Sequence, residues 1–162
     1  MVILSHPNPA LRQRAYDVDP ASDRSLRALV RSMAKTMYDA PGVGLAATQV
    51  GVHKRVVVFD LEEGLIAMCN PQIVERSDEL ETDEEGCLSL PGITVPVSRA
   101  ARCVCEARDL KGEAFKIAAE GMLARVLQHE VDHLDGVLII DRATPEDRLA
   151  AVRRYRETND LR

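Results

Sequence analysis

The sequence predicts an α+β fold in which antiparallel β-sheets pack around a central helix that carries two histidines. Apolar residues recur at helical spacing over residues 23–38 and again from Glu120 onward. Between these segments lie short runs rich in β-branched residues, which are typical of strands. Gly, Pro, Asp and Asn separate those runs, which favours turns between neighbouring strands.

Two helices are predicted near the start of the chain. A short one over residues 8–12 is favoured because an asparagine cap precedes a proline at the first helical position. A longer one covers residues 23–38 and ends before Pro41 and Gly42. Its buried face consists of Leu26, Leu29, Val30, Met33 and Met37.

Six extended segments and two further helices follow. The segments are residues 55–59, 65–69, 71–75, 95–100, 102–110 and 114–118. A helix is predicted from Glu120 to a cap at Gly136, and Pro145 begins a last, arginine-rich helix. The buried face of the first of these helices consists of Met122, Leu123, Val126, Leu127, Val131 and Leu134.

Length and composition restrict the class of protein. A chain of 162 residues is expected to form one catalytic domain over residues 1–162. The net charge of −5 and the aromatic content of 3% argue against a DNA partner and against a base-stacking surface. No apolar stretch suits a membrane span and no signal peptide is evident, so a cytoplasmic protein without membrane contact is expected.

Residues 128–133, Gln-His-Glu-Val-Asp-His, predict a metal site. Four residues turn a helix by about 400°, so the imidazoles of His129 and His133 can reach one ion. Glu130 lies about 100° around the helix, where it can exchange a proton with water that the ion activates. The competing interpretation is that the spacing is accidental and the histidines are ordinary surface or core residues.

A catalytic ion usually takes three protein ligands, so this motif needs a third. One metalloprotease family extends the motif to a histidine at a position where this chain has Ile139, which excludes that arrangement. Other proteases use a distant glutamate, for which Glu146 and Glu157 are the downstream choices. Both belong to the arginine-rich helix, which makes them weak candidates.

Two cysteines close together in the sequence are a further choice. Cys103 and Cys105 could complete a closed structural site with the histidines, but Glu130 would then have no role. The simpler interpretation is that these cysteines, like Cys69, fill the buried face of a strand.

Cys87 has a different setting. It lies in Glu-Gly-Cys-Leu-Ser-Leu-Pro, residues 85–91, between a permissive glycine and a stiff proline. The acidic residues 79–85 before it indicate an exposed approach. Cys87 is therefore the predicted third ligand, and its thiolate suits a soft or borderline metal.

Residues 42–51 form a glycine-rich segment, Gly-Val-Gly-Leu-Ala-Ala-Thr-Gln-Val-Gly. It lacks the Lys-Ser/Thr of a phosphate-binding loop and the spacing of a dinucleotide fingerprint, and a tight loop is its ordinary interpretation. A functional interpretation is backbone that a substrate approaches closely, followed by Gln49, whose amide could donate to a developing oxyanion.

Taken in order, three motifs resemble those of the peptide deformylase family. The family shows Gly-Φ-Gly-Φ-Ala-Ala-x-Gln, Glu-Gly-Cys-Leu-Ser and Gln-His-Glu-x-Asp-His, where Φ is apolar. Residues 42–49, 85–89 and 128–133 match these motifs without a departure. Residues 3–12 also resemble the family's N-terminal segment, so the resemblance covers nearly the whole chain.

The resemblance implies a hydrolase that removes the N-formyl group from the N-terminal formylmethionine of nascent polypeptides and releases formate. It implies one divalent metal ion, usually Fe²⁺ in the cell, with Zn²⁺, Ni²⁺ or Co²⁺ also able to occupy the site. The implied metal ligands are Cys87, His129 and His133. Glu130 would be the general acid and base, and Gln49 with the backbone N–H of Leu88 would hold the oxyanion.

The resemblance also suggests how an N-formylmethionyl peptide binds. The backbone of Val43, Gly44 and Leu45 could pair with the peptide as an added strand. Helix phase and family position place Val43, Met122 and Val126 around the methionine side chain.

Two positions depart from many relatives. An arginine shortly after the cysteine motif is replaced here by residues 92–94, Gly-Ile-Thr, so a polar contact to the peptide is either missing or supplied by Arg99. Arg125 interrupts the buried helix one turn before the histidines, and it either faces outward or pairs with a carboxylate.

Two other functions remain open. A metal-dependent peptidase that cuts internal bonds would need a different third ligand and would tolerate Cys87→Ser better. A zinc-stabilised binding module would not depend on Glu130. The arginine-rich residues 148–162 are either a solvated helix face or a contact to ribosomal RNA near the emerging peptide.

Overall fold

The computed structural model describes residues 1–159. Its helices are α1 (Leu26–Asp39), α2 (Gly121–Leu134), α3 (Ile139–Arg142) and α4 (Pro145–Thr158), with short 3₁₀ helices at Pro9–Arg12 and Ala47–Val50. Its strands are β1 (Gly44–Ala46), β2 (Val56–Phe59), β3 (Ile66–Arg76), β4 (Leu80–Glu85), β5 (Val95–Ala100), β6 (Arg102–Arg108) and β7 (Ala114–Glu120). Helices and antiparallel strands occur together, as the predicted α+β class requires.

The strands form two antiparallel sheets, with α2 in contact with both. The large sheet has the order β1-β2-β3-β6-β7, and β4 pairs with β5 in the small sheet. Leu127 and Leu134 of α2 are fully buried in a core shared with the large sheet, and each such burial contributes about 1.5–3 kcal/mol. On the other side, the amide of Gln128 bonds to both the N–H and the carbonyl of Ala100 in β5. The histidine-bearing helix therefore contacts both sheets.

The remaining helices cover separate parts of the sheets. The predicted apolar face of α1 packs against β1 and β2, where Leu45, Val56 and Val58 are buried. Ala151 and Tyr155 of α4 pack on β5 and on the segment before it. α1 thus has the buried face that its helical spacing predicted, whereas α4, which was predicted from Pro145, buries only Ala151 and Tyr155.

β3 is one strand where the sequence predicted two. It continues through Asn70, which has a φ of 52°, and Pro71. The register against β6 shifts between Cys69 and Gln72. Proline has no N–H to donate, so the pairing with β6 is irregular at Pro71. The strand nevertheless continues beyond it. The side chain of Asn70 also accepts a hydrogen bond from the N–H of Val18 and donates one to its carbonyl. These two bonds stabilise the chain at the irregularity.

Three of the strands and α-helices were not predicted, and neither was the 3₁₀ helix at Ala47–Val50. β4 contains the acidic residues that were interpreted as an exposed approach, and these are exposed apart from Glu85, so no apolar alternation marked a strand. β1 and α3 are too short for any periodicity to be recognised.

No helix among residues 1–159 has the length and apolar character that crossing a membrane requires.

Candidate metal centre and active site

α2 and the turn after β4 bring three metal-binding side chains together. The ligand atoms of Cys87, His129 and His133 all lie within 4.8 Å of one another. Cys87 Sγ lies 3.3 Å from His133 Nε2, which lies 3.1 Å from His129 Nε2. Within residues 1–159, no other three His, Cys, Asp or Glu side chains approach one another so closely.

This cluster fits a divalent metal ion. Metal–nitrogen bonds of about 2.0–2.1 Å and metal–sulfur bonds of about 2.3 Å separate neighbouring donors in a tetrahedral site by roughly 3.3–3.8 Å, close to the separations seen here. Burial opposes a positive charge on His129, but hydrogen bonds to Cys87 and Glu85 outweigh it and raise its pKa to about 10. Burial and the neighbouring His129 lower the pKa of His133, so its ring is neutral, as metal ligation requires. Three protein ligands also leave one position open.

The other cysteines lie in the cores. Cys69, Cys103 and Cys105 are buried, and burial raises the pKa of Cys69 and of Cys105 to about 11. Neutral thiols among apolar neighbours are poor metal ligands, which supports the interpretation that they fill strand interiors. Glu146 and Glu157 are exposed on α4 and do not join the cluster.

Glu130 lies beside the metal-binding cluster with one oxygen uncommitted. Its residue is 4% exposed, and burial raises the pKa of its carboxyl group to about 7. Glu130 Oε2 has no hydrogen-bond partner within residues 1–159. The other oxygen lies against Gly44, where a Cβ atom would come within 2.5 Å of Glu130 Oε1. Gly44 therefore leaves room for a carboxylate that can accept a proton.

The orientation of the Gln49 amide is set by the backbone. Gln49 Oε1 accepts a hydrogen bond of 3.0 Å from the N–H of Ala46. Its NH₂ group consequently points toward Ser89 Oγ at 3.0 Å and Cys87 Sγ at 3.7 Å. Leu88 directly follows Cys87, so its N–H belongs to the same turn. Two potential oxyanion donors thus lie beside the cluster.

Glu85 binds His129 and was not identified from the sequence. His129 Nδ1 lies 2.9 Å from Glu85 Oε1. Arg99 donates from Nε to Oε2 at 2.6 Å and from Nη2 to Oε1 at 3.0 Å, and Arg125 donates from Nη1 to Oε2 at 2.6 Å. Metal-binding histidines commonly bond through their second nitrogen to such a carboxylate. The available signal was an acidic residue two positions before a candidate cysteine ligand.

These contacts decide between the alternatives that the sequence left open for Arg99 and Arg125. The alternative in which Arg99 contacts the peptide is wrong, because its side chain is 5% exposed and is bonded to Glu85 and to Asp132. Arg125 pairs with a carboxylate, which was one of its two predicted positions.

A cavity of about 670 Å³ opens over the cluster. Its lining includes Val43, Gly44, Met122 and Val126, four of the five residues that the sequence predicted to contact a peptide. Val43 and Met122 are 52% and 60% exposed, whereas Val126 is 7% exposed. The side chain of Leu45 is buried against α1 and does not line the cavity, so only its backbone could meet a peptide. β1 is an edge strand of the large sheet, which leaves one side for an added strand.

Comparison with known families gives a match over most of the chain. The model of the family described as polypeptide deformylase matches residues 1–149. A peptide deformylase of Dictyoglomus thermophilum is 52% identical over 139 residues, which cover 86% of this chain and 90% of that protein. A peptide deformylase of Pelotomaculum thermopropionicum is 50% identical over 133 residues, covering 82% of this chain and 84% of that protein.

Solved structures give the same result for the fold. A peptide deformylase from Legionella pneumophila superposes with a TM-score of 0.91 at 42% identity, covering 99% of this chain and 95% of that one. A peptide deformylase from Synechococcus elongatus in complex with actinonin has a TM-score of 0.91 at 35% identity, covering 100% of this chain and 89% of that one. The likeness therefore extends to both sheets and to the helix between them.

Proposed function

Since this chain belongs to the polypeptide deformylase family, we propose how its own residues perform that family's reaction. The chain is a metal-dependent hydrolase that removes the N-formyl group from the N-terminal formylmethionine of nascent polypeptides and releases formate. We further propose that residues 1–162 act as a single catalytic domain. The observation that carries the assignment of roles is the convergence of a Cys-His-His cluster, a buried Glu130 and the Gln49 amide at one cavity.

Cys87, His129 and His133 would hold the ion. An ion held there would supply Lewis-acid chemistry, that is, it would polarise the formyl oxygen and lower the pKa of water. Two imidazoles and one thiolate suit borderline metals, so the donor set accepts Fe²⁺, Zn²⁺, Ni²⁺ or Co²⁺. We propose Fe²⁺ as the ion used in the cell. Because the ligand set accepts several metals, the supply of each metal in the cell determines which one is bound.

Glu130 moves the protons of the reaction. Its free Oε2 accepts a proton from the attacking water, and the raised pKa of this carboxyl group allows it to hold that proton at neutral pH. As the amide bond breaks, Glu130 returns the proton to the departing amine. Gln49 Nε2 and the backbone N–H of Leu88 donate to the oxygen that becomes negative when the formyl carbon is attacked.

The substrate binds through β1 and the cavity. The peptide backbone would add as a strand along Val43, Gly44 and Leu45, which sets its direction relative to the metal. Val43, Met122 and Val126 would surround the methionine side chain. The formyl group carries only hydrogen on its carbon, so a close approach between the cluster and Gly44 would exclude bulkier acyl groups.

The arginines of α4 are the proposed contact to the ribosome. Arg153, Arg154 and Arg156 are exposed, although Arg154 also donates to the carbonyl of Thr94. Part of the arginine-rich segment, residues 160–162, lies outside the described residues. Nascent polypeptides are present where translation takes place, so we propose a cytoplasmic location for this protein. Arg153→Glu with Arg156→Glu should weaken co-sedimentation with ribosomes at low salt, and an unchanged amount would remove this proposal.

The assay for the assigned roles is formate release from a short formyl-methionyl peptide by protein loaded with Fe²⁺ without oxygen. Glu130→Gln should reduce kcat by about 10²–10⁴-fold while the metal content stays at that of the parent. His53→Gln is the control, since His53 bonds to the carbonyl of Ala10 away from the cavity and should leave the rate unchanged. An active Glu130→Gln protein would refute the role of this carboxylate, and cleavage of internal peptide bonds without formate would favour a peptidase.

A further inference from the structure

We propose that Arg125 is a positioning residue of the metal centre, which acts on His129 through Glu85. The inference rests on the proposed function in one respect, namely that His129 binds the catalytic ion. It gives a role to the buried arginine that lies one turn before His129 in α2.

Arg125 and His129 hold the same carboxylate from one face of α2. The two residues are four positions apart, so their side chains are neighbours on the helix. His129 Nδ1 lies 2.9 Å from Glu85 Oε1, and Arg125 Nη1 lies 2.6 Å from Glu85 Oε2. Each oxygen of Glu85 therefore has one partner from α2, which sets the plane of the carboxylate relative to the imidazole ring.

The guanidinium group of Arg125 is itself held firmly. The residue is 9% exposed. Its Nη1 also donates to the carbonyl of Val97 at 2.9 Å, and its Nη2 donates to the carbonyl of Glu81 at 2.8 Å. These contacts join α2 to both strands of the small sheet. A charged group with this many partners has little freedom to move, so it can transmit a precise position to Glu85.

Arg99 has a different part in this network. It lies on β5, next to the strand that carries Glu85, and it bonds to both carboxylate oxygens. Arg99 therefore positions the carboxylate relative to the small sheet. It reaches α2 only through a second carboxylate, that of Asp132. Arg125, by contrast, lies on α2 together with both histidines and binds Glu85 directly.

A fixed carboxylate determines which ring nitrogen of His129 faces the ion. With Nδ1 bonded to Glu85, Nε2 is directed to the cluster and the basicity of the ring increases. Loss of such a partner commonly weakens metal binding by about 10–100-fold. Arg125→Met keeps the unbranched apolar stem of the side chain but removes the guanidinium, so we expect a weakened metal affinity and a lower kcat, with a smaller change in KM.

The test measures the affinity of the full-length protein for Co²⁺ by competition with a chelator, together with the visible spectrum of the Co²⁺ form. Arg125→Met should raise the dissociation constant about 10–100-fold and shift the spectrum. Arg125→Lys should fall between Arg125→Met and the parent, because one ammonium cannot bond to Glu85, Val97 and Glu81 together. In a Glu85→Gln background, Arg125→Met should weaken Co²⁺ binding little further, since the two act along one route.

Arg55→Met is the matched control for loss of a buried guanidinium. Arg55 bonds to the carbonyl of Leu134 and to Asp135 at the other end of α2, without contact to Glu85. It should lower the unfolding temperature and leave Co²⁺ affinity unchanged. If Arg125→Met behaves like Arg55→Met, or if its loss adds fully to that of Glu85→Gln, the proposal is overturned. Because Co²⁺ affinity does not depend on turnover, weakened binding would support the proposal even if the parent released no formate.

Discussion

Gly44 lies directly against the carboxylate of Glu130, the proposed proton acceptor. A Cβ atom at this position would lie 2.5 Å from Glu130 Oε1 and 3.0 Å from its Cδ, so an alanine must displace the carboxylate. A displaced proton acceptor lowers the rate of the chemical step more than the affinity for peptide. Gly44→Ala should therefore reduce kcat by about tenfold or more, which corresponds to about 1.4 kcal/mol.

The control for this glycine lies two positions earlier. A Cβ atom at Gly42 would lie 2.6 Å from Cδ1 of Leu88, the end of a flexible side chain. Gly42→Ala adds the same methyl group to the same segment but presses on Leu88 instead of Glu130, so its effect on kcat should be smaller. Equal losses for both variants, measured beside metal content and unfolding temperature, would contradict the role given to Gly44.

Gln49→Met tests the oxyanion donor. The substitution keeps the volume but removes the NH₂ group, and it leaves the N–H of Ala46 without its acceptor. Removal of one such donor typically costs about 10²–10³-fold in kcat. Ser89→Ala is the comparison, since it removes the other partner of the amide but keeps Gln49 itself. A Gln49→Met protein with parental kcat and normal Co²⁺ affinity would exclude Gln49 from the reaction.

Site residues could be predicted where their spacing along the sequence indicates a known chemical function. The histidine pair follows from helix geometry, and the sequence predicted Cys87 to join it, which the structure bears out as proximity. Glu85 was missed because its contact with His129 joins positions 44 residues apart. Its partner Arg99 was misplaced for the same reason, since the sequence does not say which carboxylate an arginine will meet.

Helices and strands could be predicted where buried apolar residues recur at a regular spacing. α1 and α2 each bury one apolar face, so their periodicity marked them clearly. β4 has a single buried residue, Glu85, and its pairing with β5 satisfies the backbone without apolar alternation. β1 is buried throughout and only three residues long, so no pattern could distinguish it from a loop. These two missed strands border the cavity through Gly44 of β1 and through Glu84 and Glu85 of β4.

The C-terminal end of α4 supports one wall of the cavity. Asn159 Nδ2 donates to the carbonyl of Pro91 at 3.1 Å, and Arg154 Nη2 donates to the carbonyl of Thr94 at 3.1 Å. Replacing both side chains with alanine removes these two hydrogen bonds to the cavity wall, worth about 1 kcal/mol each, and the bond from Asn159 to the carbonyl of Tyr155 within the helix. KM for a formyl-methionyl peptide should therefore rise roughly fivefold or more. The value of kcat should change less, because neither residue touches the cluster.

Arg153→Ala is the control for this effect on the same helix. Arg153 is exposed, and its change should leave KM for a short peptide unchanged. A double variant with parental KM would mean that the segment from Pro91 to Thr94 keeps its position without α4.

At the scale of the whole molecule, a bound ion would join parts of the fold that are distant in the sequence. His129 and His133 belong to α2, whereas Cys87 follows directly after the small sheet. The large sheet packs on the other side of α2. The α+β class and a central helix could be predicted because the long helices and most strands have recognisable periods. The strand order of the two sheets and the side chains that join them to α2 could not be predicted, since they depend on contacts between remote positions.

Removal of the metal should therefore destabilise the whole domain. A ligand present at 1,000 times its dissociation constant adds about 4.1 kcal/mol to the free energy of unfolding. For a chain of this size that corresponds to roughly 8–16 °C in Tm. Calorimetry of the Co²⁺ form before and after removal of the ion by a chelator measures the difference. Cys87→Ser should reduce the difference strongly, because the thiolate that ties the small sheet to α2 is lost. Equal Tm values for the loaded and metal-free parent would mean that the ion binds without stabilising this junction, and that the two sheets are held to α2 by packing and by the Glu85 network alone.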